Sequence, residues 1–242
     1  DFPLVSGTDL HRYTHAAFVE QRGEYVAAET GAEAFLEAYP DSPWAEDARD
    51  LLQNIRHPQL SVTAVNVVPP GGGVEIPVQA RNLGEVRFTA YRVDLEAVLG
   101  NGARLRNADV SFDDFERNFG NIVGVRKHYL EKVASWALDV PDTGDHTFHD
   151  VTTPLPLAEV GSYVVEATGG RHDAAFLVMV SDVTVILRQD EASTLIFVAD
   201  ALTGAPLDGF PLIVKETYWD YSGRGRYRTE LVQAFTDDDG TY

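Results

Sequence analysis

The spacing of apolar residues changes once, at Pro58, and that change limits the fold more than any other feature of the chain. Before it, apolar residues recur every three or four positions. Tyr25, Ala28, Ala32, Phe35 and Leu36 form one such face, and Trp44, Ala48, Leu51, Leu52 and Ile55 form another. After it they recur every second position, as in Val74, Ile76, Val78 and Ala80, then Val86, Phe88 and Ala90. A period near 3.6 buries one face of a helix, and a period of 2 buries one face of a strand. The chain is therefore expected to be helical to residue 57 and built of antiparallel strands beyond it.

Local signals divide the helical part into three. Thr8 or Asp9 is expected to cap a helix over residues 10–19, which Gly23 ends. A second runs over 24–39 and stops at Pro40. Ser42 reads as the N-cap of a third, with Pro43 at the first helical position, where its missing N–H costs nothing. Glu29, Glu33, Glu37 and Glu46 fall on the opposite faces and read as solvated surface.

The strand region begins with Leu60 to Ala64 and the turn Pro69-Pro70-Gly71-Gly72-Gly73. Pro77 lies within the next run and marks it as an edge strand, because proline donates nothing to a ladder. Residues 86–93 form a further strand. Residues 94–124 interrupt the pattern, with a helical turn over 94–99 and a short capped helix over 111–116. Strands then read over 125–140, 147–154, 161–167 and 174–180. A second group follows over 183–187, 194–199, 212–217 and 227–235. Asp237-Asp238-Asp239-Gly240 is a hairpin signal. There is no strict internal repeat and no low-complexity tract.

Composition narrows the function. The chain has 38 acidic and 19 basic residues, a formal net charge of −19. That disfavours nucleic acids and anionic membrane surfaces as partners. With no cysteine, disulfides, thiolate metal sites and a cysteine nucleophile are excluded within the chain. No apolar run approaches the ~20 residues that span a bilayer. The abrupt start at Asp1-Phe2-Pro3 and the end within a hairpin signal are expected of a piece of a longer polypeptide.

Candidate sites are few. His11 and His15 share a helix face but lack the glutamate and third ligand of a zinc site. Asp145, His146, His149 and Asp150 are the densest set of ligand-type residues, and His146 and His149 are expected to diverge on opposite faces of a strand. No resident metal or cofactor is expected. Asp237 to Asp239 lack the alternation of a calcium loop. Tyr218, Trp219, Tyr221 and Tyr227 flank a glycine-rich loop with Arg224 and Arg226, a combination suited to a partner surface or a sugar ring. No nucleophile elbow, phosphate loop or dinucleotide fingerprint is present, and no catalytic residue is expected.

Several segments carry a family resemblance. Residues 86–99, VRFTAYRVDLEAVL, resemble the strand and helical turn of bacterial α2-macroglobulin-like proteins. Residues 157–167, LAEVGSYVVEA, resemble the Gly-x-Tyr-x-Val-x-Ala strand that closes a macroglobulin-like module. Residues 195–206, LIFVADALTGAP, and the closing FTDDDGTY are similar to the next strand and its Thr-Asp-x-Asp-Gly hairpin. Residues 35–55 are similar to tetratricopeptide-like helices of envelope proteins. The resemblance implies a mainly β fold: a helical segment over 1–57, a macroglobulin-like β-sandwich over 58–181, and a second, truncated or small sandwich over 182–242. It implies a non-catalytic scaffold and contact module in a large periplasmic, envelope or secreted protein. The parent would trap proteases through a bait segment and, in many members, a Cys–Gln thioester. Lacking cysteine, this chain cannot hold that thioester. Its implied partners are neighbouring domains of the same parent and, through the parent, proteases. A carbohydrate- or protein-binding surface module is the alternative.

Overall fold

The computed structural model describes residues 7–94, 126, 128–190, 193–221 and 225–242. The helical turn expected over 94–99 and the helix expected over 111–116 lie outside these, apart from Asp94, whose N–H donates to the His128 carbonyl at 3.1 Å.

Three helices come first: α1 (Gly7–Gln21), α2 (Tyr25–Ala38) and α3 (Ala45–Arg56). Ala16, Ala32 and Leu52 bury against one another beside Leu36 and Leu51. Tyr13 stacks on Trp44 with ring centroids 5.7 Å apart. The third helix starts at Ala45 rather than Pro43. The Ser42 hydroxyl donates to Asp9 Oδ2 at 2.9 Å and accepts the Trp44 N–H at 3.3 Å. Asp9 thus lies within α1, 5 % exposed, instead of capping it. Trp44, not Ser42, therefore stands at the N-cap of α3. A buried carboxylate needs a donor, and the Ser42 hydroxyl supplies it.

Among the described residues beyond Pro58 the named elements are strands. One sheet holds β1 (Gln59–Val62), β3 (Glu75–Arg81) and β6 (His149–Pro154) in the order β1-β3-β6. The other holds β2 (Val67–Val68), β4 (Glu85–Val93), β5 (Tyr129–Asp139), β7 (Gly161–Gly169) and β8 (His172–Val180), in the order β2-β8-β7-β4-β5. Their facing residues make one core, from Ile76, Val78 and Ala80 on β3 to Val86, Phe88 and Ala90 on β4 and Tyr163, Val165 and Ala167 on β7. The chain is mainly β with a helical N-terminal part, as the change of period predicts.

Three details depart from the sequence reading. Pro77 is not on an edge strand, since β3 is central. Its carbonyl accepts from the Thr63 N–H at 3.0 Å, one residue past the end of β1. In an antiparallel ladder a residue's N–H and C=O face the same neighbour, so the missing donor faces the place where β1 stops. Second, β2 joins β8 in parallel, Val67 opposite Met179 and Val68 opposite Val180. The chain leaves one sheet after β1 and enters the other at β2. Third, β5 begins at Tyr129 and breaks register against β4 between Ala90 and Tyr91 and between Arg92 and Val93. The residues left unpaired, Val133 and Leu130, turn outward, 40 % and 62 % exposed.

The last strands are β9 (Val183–Gln189), β10 (Thr194–Asp200), β11 (Pro211–Asp220) and β12 (Arg226–Phe235), in antiparallel pairs β9-β10 and β11-β12. Two short segments close the outer edge of β10. Pro206 bridges Ala199 and Thr241 bridges Phe197. An aspartate shapes each. Asp200 Oδ1 accepts the N–H groups of Leu202 and Thr203 and the Thr203 hydroxyl. Asp237 Oδ1 accepts those of Asp239 and Thr241, and Oδ2 takes the Thr241 hydroxyl. The turn expected at 237–240 is present, and its outgoing limb lies along β10.

Candidate functional site

The aromatic hairpin is an exposed ribbon. Trp219 stands opposite Tyr227 and Tyr218 opposite Arg228 in the β11-β12 register. Consecutive residues of a strand point to opposite faces, so Tyr218 and Trp219 do not form one platform. The Tyr218 hydroxyl donates to Glu230 Oε1 at 2.7 Å, and that bond raises its pKa above the ordinary phenol value. Arg228 pairs with Asp220. Gly225, at φ 69°, lies against the Trp219 indole, where a Cβ would come within 2.7 Å of a ring carbon. Tyr221 is 86 % exposed. Arg224 and the side chains of Arg226 and Tyr227 lie outside the described residues.

The histidines separate. His11 and His15 lie exposed on α1. Among the described residues, no group of three His, Cys, Asp or Glu side chains is placed to hold a metal ion. His146 does not sit in a strand at all. It has φ 58°, and β6 begins only at His149. Asp145 forms this turn by accepting the Thr147 N–H at 2.9 Å and its hydroxyl at 2.8 Å. Those bonds hold its carboxyl down to about 2. His149 Nε2 approaches the same oxygen only to 3.5 Å, which leaves this buried nitrogen without a hydrogen bond.

His146 instead belongs to a polar joint between the helices and the sandwich. Its partner Asn82 also has positive φ, 54°. Asn82 Nδ2 donates to the carbonyls of Ile55 at 2.7 Å and His57 at 3.1 Å. Arg81, 6 % exposed, donates to the same Ile55 oxygen at 3.1 Å. Its guanidinium lies over the Tyr25 ring at 4.2 Å and the Phe148 ring at 5.6 Å. Sandwich residues therefore satisfy carbonyls that the end of α3 leaves unpaired, and bring positive charge to its negative pole. His146 Nδ1 is 2.7 Å from Asn82 Oδ1, and Nε2 is 3.0 Å from Glu29 Oε2. Glu29 Oε1 accepts from Arg56 Nε at 2.6 Å, and Arg56 also pairs with Glu33. The Arg56 bond is the largest cause holding the Glu29 carboxyl below its usual value; His146 adds to it and burial opposes. Glu29 is thus a joint residue and not part of a solvated face. The sequence signal was slight: an asparagine before Leu83-Gly84, which tolerates a left-handed backbone.

Acid should loosen this joint. Both carboxyls are depressed, so the stability they contribute is present above the ordinary carboxylate range and lost as pH falls through their folded values. Carboxyl carbon-13 shifts should give Asp145 a midpoint of about 2. A midpoint near ~3.9, that of a free aspartate, would show that the turn does not hold in solution.

Helices followed by antiparallel sandwich strands define the class: a mainly β chain of β-sandwich architecture with a helical N-terminal part. No family model matches the chain, and no curated protein sequence does. Among solved structures it is similar to native alpha-2-macroglobulin from Escherichia coli spanning domains MG0-NIE-MG1, with 22 % identity and a TM-score of 0.51 over 76 % of this chain and 56 % of that one. A structure of the same protein spanning NIE-MG1 gives 22 % identity and a TM-score of 0.48, covering 76 % of this chain and 86 % of that one. The cryo-EM reconstruction of its native conformation gives 23 % and 0.40, covering 75 % and 12 %. The chain spans little more than half the length of the first of these, 56 %, and that likeness shows a shared fold.

Proposed function

We propose that the chain is a non-catalytic scaffold and contact module of a large extracytoplasmic α2-macroglobulin-like protein whose parent traps proteases. In this reading residues 1–57, 58–181 and 182–242 are successive modules, and neighbouring domains of the parent are the direct partners. The observation that supports it is the fold shared with the Escherichia coli alpha-2-macroglobulin fragment over 76 % of the chain. Large apolar side chains also face outward on the last strands: Val185, Leu187, Leu195, Ile213 and Phe235 are 48 % to 71 % exposed. No helix among the described residues is long and apolar enough to cross a membrane.

The contact surface is assigned to Tyr218, Trp219, Tyr221, Arg224, Arg226 and Tyr227. Trp219→Ala combined with Tyr221→Ala should leave the stability of this chain within about 1 kcal/mol, since Tyr221 is 86 % exposed and Trp219, at 40 %, lies on the ribbon outside the buried core. The same pair should weaken assembly of the parent and its capture of a protease, read by gel shift of the complex. A large loss of stability in the isolated chain would make the two residues core and end the contact assignment. The isolated chain should neither cleave peptides or glycosides nor inhibit a protease. Saturable quenching of Trp219 fluorescence by oligosaccharides would instead favour a carbohydrate-binding surface module.

A further inference from the structure

We propose that a doubly protonated histidine clamps the helical segment to the sandwich, so that docking of the two is coupled to proton uptake at His146. This does not depend on the identity of the parent protein.

The argument is an inventory of donors and acceptors. The amide of Asn82 has only one workable orientation, because its nitrogen lies between the carbonyls of Ile55 and His57, at 2.7 and 3.1 Å. Its oxygen therefore faces His146 Nδ1 at 2.7 Å and can only accept. Glu29 is fixed as an acceptor as well. One oxygen takes the Arg56 Nε–H at 2.6 Å, and the other faces His146 Nε2 at 3.0 Å. Both ring nitrogens thus meet acceptors, and only the imidazolium carries an N–H on each. A neutral ring, in either tautomer, sets a bare lone pair against Asn82 Oδ1 or Glu29 Oε2. Water is poorly placed to repair that, since the side chains of His146 and Glu29 are 14 % and 21 % exposed.

The surrounding charges agree with a cation at this position. From α2 the ring meets Glu29, with Glu33 beyond it; from α3, Arg56, held by both glutamates. From β3 comes Arg81, turned to the Ile55 carbonyl and the rings of Tyr25 and Phe148. On its own loop lies Asp145, 3.5 Å from His149 Nε2 of β6. Two further histidines meet across the same joint, His57 against His172 of β8 at 4.9 Å between rings. The backbone adds a further mark: Asn82 and His146 are the described non-glycine residues with positive φ, and they bond to each other. Two such conformations persist where neighbouring contacts hold them.

The test uses the whole chain. At about pH 6, below the ~6.5 of a free imidazole, nitrogen-15 shifts of the His146 ring should be those of an imidazolium with both N–H groups bonded. Amide hydrogen exchange of α2 and α3, corrected for the intrinsic rate, should show opening that increases roughly tenfold between about pH 6 and about pH 8.5, the size of one lost charge-assisted hydrogen bond. In His146→Gln that rise should vanish, with opening already raised at pH 6. In His57→Gln and His172→Gln it should persist. A ring carrying a single N–H at pH 6 would overturn the proposal, whatever the variants do. So would an undiminished pH response in His146→Gln. Should that variant fail to fold, the ring shifts of the unaltered protein decide the matter.

Discussion

Replacing Phe88 by alanine is expected to cost about 3–5 kcal/mol of unfolding free energy, the range for removing an aromatic side chain from a packed core. Phe88 is fully buried at 0 % exposure on β4. Its ring stacks on Trp136 of β5 with centroids 5.1 Å apart and planes 10° from parallel. Trp136 in turn donates from Nε1 to the Thr153 hydroxyl on β6 at 3.0 Å, across the gap between the sheets. Thr153 is 2 % exposed and has little access to water in place of that bond. Truncating Phe88 therefore opens a cavity and also frees the ring that ties the two sheets together. Urea unfolding followed by tryptophan fluorescence gives the cost. Phe88→Leu should lose much less, about 1 kcal/mol, because it keeps most of the volume. Equal losses for the two variants would show that the aromatic stack contributes nothing specific.

The second large effect is expected at Gly240. Its φ of 72° is a left-handed backbone, which a side chain raises by roughly 1–2 kcal/mol. Space is the greater obstacle. A Cβ there would lie 2.5 Å from the Val198 carbonyl oxygen and 2.9 Å from Pro206 Cβ. The oxygen cannot easily retreat, because it accepts the Leu207 N–H at 3.0 Å. Gly240→Ala should thus cost about 2–5 kcal/mol once overpacking is added, and expose the amides of Ile196 and Val198 to exchange. Gly204 is the matched comparison, at φ 71° with nothing within 4 Å of an added Cβ. Gly204→Ala should lose only the backbone part. If the two variants lose the same amount, the close approach of the two turns is not real.

These two sites also show how much the sequence declared. The Gly-x-Tyr-x-Val-x-Ala segment is an inward-facing stripe: Tyr163, Val165 and Ala167 are 2 %, 0 % and 0 % exposed. Alternation with a period of two is local, so it can be read along the chain. The same holds for Asp200, Thr203 and Gly204, whose bonds close within a few residues. The Glu29–His146 contact was not legible, because 117 residues separate partners that are each common on surfaces. The aromatic hairpin was legible as a ribbon, but its register sends Tyr218 and Trp219 apart, which composition does not reveal. Pro77 misled because a proline reports the absence of a donor bond at one residue, not the position of a whole strand.

The short parallel pair between β2 and β8 has a mechanical consequence. Tension between the helical segment and the strands after Val180 would draw β2 and β8 in opposite directions along their common axis. Their bonds, Met179 N–H to the Asn66 carbonyl at 2.8 Å and Ser181 N–H to the Val68 carbonyl at 2.9 Å, lie nearly across that pull. They would be loaded together, in shear, instead of opening one after another as a hairpin does. The chain enters the sandwich through β1, so the same pull first loads the β1-β3 ladder, Gln59 to Val62 against Val78 to Arg81, and the β2-β8 grip is the second point that bears it.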